Sequence, residues 1–173
     1  MLIGVTGEKG SGKDTFAKGL EGFVNLKMAD PLKNMLRVLL EMAGIDADTT
    51  ERMIEGDLKE IPCDALCGKT PRFAMQTLGT EWRDMIGKEL WSNIWLYRLK
   101  GGNIVCTDVR FLHEAAAVQD RGGIIVRVER PGLAGDGDTH VSETEMQGLI
   151  PDFVVVNSGS PEELQQAARG FIK

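Results

Sequence analysis

Gly7-Glu8-Lys9-Gly10-Ser11-Gly12-Lys13 spells G-x-x-x-x-G-K, the spacing of a turn that wraps phosphate. Glycines let the backbone approach until its N–H groups face phosphate oxygens. The start of a following helix adds positive potential, and Lys13 supplies a point charge for β- and γ-phosphates. Asp14 stands where a Mg²⁺-ligating hydroxyl is usual, and Thr15 follows at once. Asp14 is therefore expected to hold magnesium through water, and Thr15 to donate to the α-phosphate. An ordinary glycine-rich turn is the alternative, and the position between an apolar run and a helical pattern argues against it.

If the bound phosphate is to be transferred, cations and carboxylates must surround the moving group. In parallel sheets ligands sit beyond the carboxyl ends of the strands. Asp108 and Arg110 stand at one such end, where Asp108 would organise magnesium or its waters; a helix cap and a surface cation are the alternative roles. Glu114, one turn beyond Arg110, is placed to pair with it. Asp30 closes another strand and could face an acceptor or simply cap a helix, and Lys33 three residues on is open between the same acceptor and the surface.

Arg72, Gln76, Thr80 and Arg83 recur every three or four residues, which lines them along one face if the helix continues past Gly79. A solvated face is the plainer reading. Trp82, Trp91 and Trp95 suit a core better than base-stacking platforms. Cys63 and Cys67 form C-x3-C without a second pair or a nearby histidine, so ordinary thiols are expected rather than zinc ligands. His140 follows a glycine-rich segment and could touch phosphates; His113 is given no role.

These residues need elements to hold them. Met1 to Thr6 reads as a buried strand, with a helix from Lys13 to Leu20. Phe23 to Met28 reads as a second strand, and Leu32 to Ala43 as an amphipathic helix with Asp30 and Pro31 at its cap and first turn. Residues 44–70 are loops around a short helix near 48–56. A helix-rich stretch follows from Pro71 to about Leu99, with breaks expected near Gly79 and Gly87. Asn103 to Thr107, Ile124 to Val128 and Phe153 to Val156 complete five strands. Helices follow at Leu112 to Gln119, after Ser142, and from Ser160-Pro161. Pro131 to Asp138 has the glycine content of a lid-like loop. Apolar strands alternating with helices predict an α/β fold, a parallel sheet covered on both faces.

The 173 residues, 42% of them apolar, suffice for one sizeable core. A net charge of -6, from 26 acidic and 20 basic residues, argues against a protein that coats nucleic acid or anionic membrane. Three cysteines are too few and too odd for a disulfide framework, and no run approaches the roughly 18 apolar residues of a membrane span. A cytoplasmic protein is expected.

Gly10-Ser11-Gly12-Lys13-Asp14-Thr15, Ala29-Asp30-Pro31-Leu32-Lys33, Thr70-Pro71-Arg72-Phe73-Ala74-Met75-Gln76, Gly79-Thr80-Glu81, Asp108-Val109-Arg110-Phe111, His140-Val141-Ser142-Glu143 and Asn157-Ser158-Gly159 occur in that order. Together they resemble the deoxynucleoside monophosphate kinases of tailed bacteriophages, from Gly4 to about Leu164. The run from Thr70 to Gln76, with Gly79-Thr80-Glu81, Arg83 and Trp91, is its most particular part. The resemblance implies a P-loop kinase fold, with a monophosphate-binding insertion at about 31–100 and a lid-like loop at about 131–145.

It further implies transfer of the γ-phosphate of ATP, with Mg²⁺, to a deoxynucleoside monophosphate, in the cytoplasm of an infected host cell. Gly10, Ser11, Gly12, Lys13, Asp14 and Thr15 would bind the ATP phosphates, with Asn157 near the base. Lys33, Arg72, Gln76, Gly79, Thr80, Arg83 and Trp91 would surround the monophosphate, with Asp108, Arg110 and Glu114 between the two. The segment after Arg130 holds no arginine before Glu143, so Arg130 is the expected cation for the transferring group, with His140 next. A dephospho-coenzyme A kinase-like enzyme and a non-catalytic nucleotide-binding module remain alternatives, and a homodimer remains open.

Overall fold

The apolar runs form β1 (Leu2–Thr6), β2 (Val24–Asn25), β3 (Ile104–Cys106), β4 (Ile124–Glu129) and β5 (Phe153–Val156). A computed structural model, which describes residues 1–133 and 148–172, pairs them in one all-parallel sheet ordered β2-β3-β1-β4-β5. The helices among the described residues are α1 (Lys13–Lys18), α2 (Asp30–Met42), α3 (Ala47–Ile54), α4 (Pro71–Thr77), α5 (Arg83–Ile86), α6 (Leu90–Arg98), α7 (Leu112–Gln119) and α8 (Pro161–Arg169). His140, the helix expected after Ser142 and all but the start of the lid-like loop lie outside the described residues. No described helix is long and apolar enough to cross a membrane.

Both faces of the inner strands β3, β1 and β4 are covered, which is why those strands read as apolar runs rather than alternating ones, whereas the edge strands β2 and β5 are largely exposed. Ile3, Val5, Val126 and Val128 face Phe16, Ala17 and Leu20 of the α1 region and Leu164 and Ala168 of α8. Cys106 and Ile125 point the other way, toward Ala115 and Val118 of α7, Val109 and Trp95. Gly4 makes that second contact close: a Cβ there would lie 2.7 Å from Ile125 Cδ1 and 3.3 Å from Val118 Cγ2.

The chain divides into two compact units, Met1–Met28 with Trp95–Lys173, and Ala29–Ile94. The second has its own core, in which Leu36 and Leu40 of α2 meet Met53 and Ile54 of α3, with Ala74 and Met75 of α4 against them. Its helix starts are fixed locally. Asp46 accepts from Thr49 N at the start of α3, and Thr70 accepts from Phe73 N at the start of α4.

Three details differ from expectation. The second strand is two residues long instead of six, although Leu26 N still donates to Val105 O. Beyond Asn25 the backbone is taken by side chains: Trp95 Nε1 donates to Leu26 O, Arg98 Nη1 to Lys27 O, and Met28 N to Asp108 Oδ1. The cap of α2 falls on Ala29 and not on Asp30, which is the first helical residue, and Ala29 has no side chain with which to cap. Helical winding does not break at Gly79; it widens into a π turn over Leu78–Trp82 and stops at Gly87.

Candidate active site

β1 is the central strand, and the chain leaves its carboxyl end as the glycine turn. Gly10 and Gly12 have φ of 83° and 105°, a region open to glycine and strained for other residues. Gly12 also sits where a Cβ would lie 2.7 Å from Asn157 Nδ2 and 2.8 Å from Leu164 Cδ2. Asn157 Nδ2 donates to Ser11 O at 2.8 Å, so the residue after β5 buttresses the turn. Its main chain is tied as well, through Asn157 N to Glu129 O.

A cleft of about 340 Å³ opens beside this turn. Gly10, Gly12, Lys13, Asp14 and Thr15 line it from the loop and α1, and Arg130 and Asn157 from the ends of β4 and β5. Lys13 and Arg130, predicted as cations for phosphate, therefore share one cleft. The Lys13 ammonium folds back onto its own turn, donating to Gly7 O at 2.7 Å and Glu8 O at 2.8 Å. Ser11 Oγ is buried without a hydrogen-bond partner among the described residues. Such a hydroxyl is costly to leave unsatisfied, and a phosphate oxygen is the acceptor that the turn would bring to it.

Asp14 is the hub of a second set of contacts. Its Oδ1 accepts from Thr107 Oγ1 at 2.8 Å and lies 2.9 Å from Lys27 Nζ. Asn25 Nδ2 donates in turn to Thr107 Oγ1 at 3.1 Å. Burial pushes the Asp14 carboxyl up, but the bonds from Lys27 and Thr107 and the charges of Lys27 and Lys13 outweigh it and hold the group below its ordinary value.

Asp108 occupies the end of β3, where its Oδ1 accepts from Met28 N at 2.9 Å and from Cys106 Sγ at 3.2 Å. Burial, followed by the Asp108 charge, pushes the Cys106 thiol up, which keeps it a protonated donor. Among the described residues, no three His, Cys, Asp or Glu side chains gather as a metal cage. Magnesium is typically held by one or two carboxylates together with water and phosphate oxygens, and Asp14 and Asp108 fit that donor set.

Glu114 is buried, and its Oε2 accepts from Arg110 N at 2.7 Å and Phe111 N at 3.1 Å. It thus ties down the turn carrying Arg110 through the main chain, a contact that the expected side-chain pairing did not foresee. Burial drives its carboxyl up to about 7, assisted by the Asp108 charge and opposed by the two N–H groups.

The residues expected around a second ligand fall in the unit from Ala29 to Ile94, several of them with partners there. Lys33 Nζ lies 2.7 Å from Glu55 Oε1, Arg72 pairs with Glu60, and Thr80 Oγ1 donates to Gln76 O at 2.8 Å. Gly79 packs beside Leu32, where a Cβ would still have room. Arg83 is buried, with Nη2 3.2 Å from Asp84 Oδ1. Trp91 is buried as well, donating to Leu78 O at 3.3 Å and tilted against Trp82. Asp30 stands at the first position of α2.

Sequence reasoning passed over Lys27, Thr107 and Asn25. The strand-end rule that singled out Asp30 and Asp108 covers Lys27 and Thr107 equally, but a lysine beside a predicted strand looks like any surface cation.

A parallel sheet with a glycine turn at the end of its central strand and a cleft beside that turn defines the class: an α/β protein of the architecture that takes ligands beyond its strand ends. A family model for deoxynucleotide monophosphate kinase matches residues 69–168. A protein of Acanthamoeba polyphaga mimivirus, provisionally described as a deoxynucleotide monophosphate kinase, is 36% identical over 182 aligned positions, covering 94% of this chain and 91% of that one. The deoxynucleotide monophosphate kinase of Enterobacteria phage T4 is 30% identical over 109 positions, 59% of this chain and 45% of the phage protein. This chain belongs to the deoxynucleotide monophosphate kinase family, and so is a nucleotide kinase, a phosphotransferase.

Proposed function

We propose that this chain moves the γ-phosphoryl group of ATP, with Mg²⁺ present, onto a deoxynucleoside monophosphate. The observation that carries the reading is the meeting of Lys13 and Arg130 in the cleft beside the glycine turn. An acceptor phosphate oxygen attacks the γ-phosphorus, the bond to the β–γ bridging oxygen breaks, and ADP leaves with a deoxynucleoside diphosphate. A phosphate oxygen is already ionised at neutral pH, so positioning and electrostatics supply most of the rate.

Gly10, Ser11, Gly12 and Thr15 would hold the ATP phosphates, and Asn157 would keep the turn in shape from behind. Lys13, Arg130 and Arg110 would balance the charge on the transferring group. Asp14 and Asp108 would hold Mg²⁺ through water, and the ion when bound supplies charge neutralisation at the β- and γ-phosphates. Glu114 would keep the Arg110 turn in place. The unit from Ala29 to Ile94 would be the monophosphate-binding insertion, with Asp30, Lys33, Arg72, Gln76, Gly79, Thr80, Arg83 and Trp91 around the acceptor.

Lys13→Ala is the direct test. Turnover should fall by at least about a hundredfold, with an unchanged circular-dichroism spectrum; near-normal turnover overturns the assignment. Arg72→Ala should act chiefly on the KM for the monophosphate. A coupled assay across deoxyribonucleoside and ribonucleoside monophosphates identifies the acceptor.

A further inference from the structure

Glu55, the residue that ends α3, draws three cations onto one carboxylate. Lys33 Nζ lies 2.7 Å from its Oε1, Arg37 Nη2 3.6 Å from the same oxygen, and Lys59 Nζ 3.7 Å from its Oε2. Arg37 already has a two-pronged partner in Glu51, at 2.8 Å through Nε and 3.1 Å through Nη2. Two ammonium groups are thus left to share Glu55. The neighbouring residue Glu60 pairs with Arg72, which brings a guanidinium to the same end of the unit.

The lysine stems are largely covered, with side-chain exposures of 17% for Lys33 and 25% for Lys59. Burial pushes the Lys59 ammonium down, and the positive charges of Lys33 and Arg72 push it further, against the pull of Glu55. Lys33 and Lys59 share the Glu55 carboxylate, Arg72 is held by the residue next to Lys59, and the charges of Lys33 and Arg72 both act on Lys59. Glu55 and Glu60 are two carboxylates for these three cations, and a multiply charged anion shared among them would balance the charge more fully. A phosphate monoester carries between one and two negative charges at neutral pH and three terminal oxygens, which suits two ammonium groups and a guanidinium better than a single carboxylate does.

We infer that Lys59 is a third binding cation for the acceptor phosphate, beside Lys33 and Arg72, and that Glu55 holds the place the phosphate takes. The inference rests on the monophosphate kinase reading and adds to it a residue and an exchange.

The test compares wild type, Lys59→Met, Lys59→Arg and Glu55→Gln, using the monophosphate that wild type turns over fastest. Lys59→Met should raise the monophosphate KM about tenfold, the loss expected for one charge-assisted contact, and leave the KM for ATP alone. Calorimetry should show weaker monophosphate binding with unchanged binding of the phosphate-free nucleoside. Lys59→Arg should restore most of the affinity. Glu55→Gln removes the carboxylate that must be displaced, so its monophosphate KM should fall.

An unchanged monophosphate KM in Lys59→Met, with wild type active on monophosphates, overturns this inference alone. A rise in KM for Glu55→Gln overturns the exchange. A wild type that accepts no monophosphate overturns the functional reading and this inference with it.

Discussion

Lys27 and Asp14 form an ion pair of 2.9 Å at the mouth of the glycine turn, on a carboxylate oxygen that Thr107 also contacts. The pair neutralises the residue that replaces the usual hydroxyl of this motif. Trp95 and Arg98 set its geometry by holding the carbonyls of Leu26 and Lys27.

Lys27→Met should lower stability at neutral pH. Asp14 has its folded pKa held below the ordinary 3.8, so its contribution is present above that value and disappears as pH falls through the folded one. Thermal melts of wild type and variant should differ at pH 7, and the gap should close only below about pH 4. A gap independent of pH would mean that packing of the lysine stem, not the pair, is what the variant loses.

Glu114 gives a pH dependence of the opposite sign. Its carboxyl, ordinarily near 4.5, is raised to about 7, so the folded chain binds the proton more tightly than the unfolded one. Stability from this group is full below 4.5 and falls as pH rises toward 7. The loss across that window is on the order of 3 kcal/mol. Glu114→Gln keeps an oxygen for the Arg110 and Phe111 N–H groups and removes the titration, so urea midpoints between pH 5 and pH 7.5 should flatten. Glu114→Ala should instead destabilise at every pH, by about 1–3 kcal/mol for the amides left unsatisfied.

At the turn, Gly12→Ala meets two obstacles, a left-handed φ of 105° and the side chains of Asn157 and Leu164. Nucleotide binding, read with a fluorescent ATP analogue, should be lost. Asn157→Ala should be milder: removal of its bond to Ser11 O costs about 1 kcal/mol and raises the KM for ATP. Restoration of binding in the double variant would show that the clash with Asn157, and not φ, governs the turn.

Trp95→Phe tests the clamp on the second strand. The ring stays in the core while the bond from Nε1 to Leu26 O disappears, so stability should fall by about 1–3 kcal/mol in urea unfolding, the range for a buried carbonyl left unpaired. Lys27 then loses part of its support. The variant should share the neutral-pH weakness of Lys27→Met in direction, with smaller loss through the ion pair.

Sequence alone determined whatever depends on neighbours a few residues apart. Each of the five apolar runs holds a strand, and the three inner ones, β1, β3 and β4, are continuous because burial on both faces selects unbroken hydrophobicity. Ser160-Pro161 with Glu163 set the start of α8, since Ser160 and Glu163 bond to each other's main-chain N–H groups over three residues. Gly10, Gly12 and Lys13 announced the turn because glycine is the residue a left-handed backbone tolerates.

Tertiary structure decided the rest. Thr107 reaches Asp14 across 93 residues, and Asn157 reaches Ser11 across 146. The first exists because β3 flanks β1 in register and the second because β5 follows β4 on the other side, an arrangement that no local pattern encodes. The same holds for Lys33, whose partner Glu55 is 22 residues away on the next helix. Glu114, expected to pair with Arg110 and under the influence of its charge, also became a support for the main chain, because folding buries it beside the Arg110 and Phe111 N–H groups.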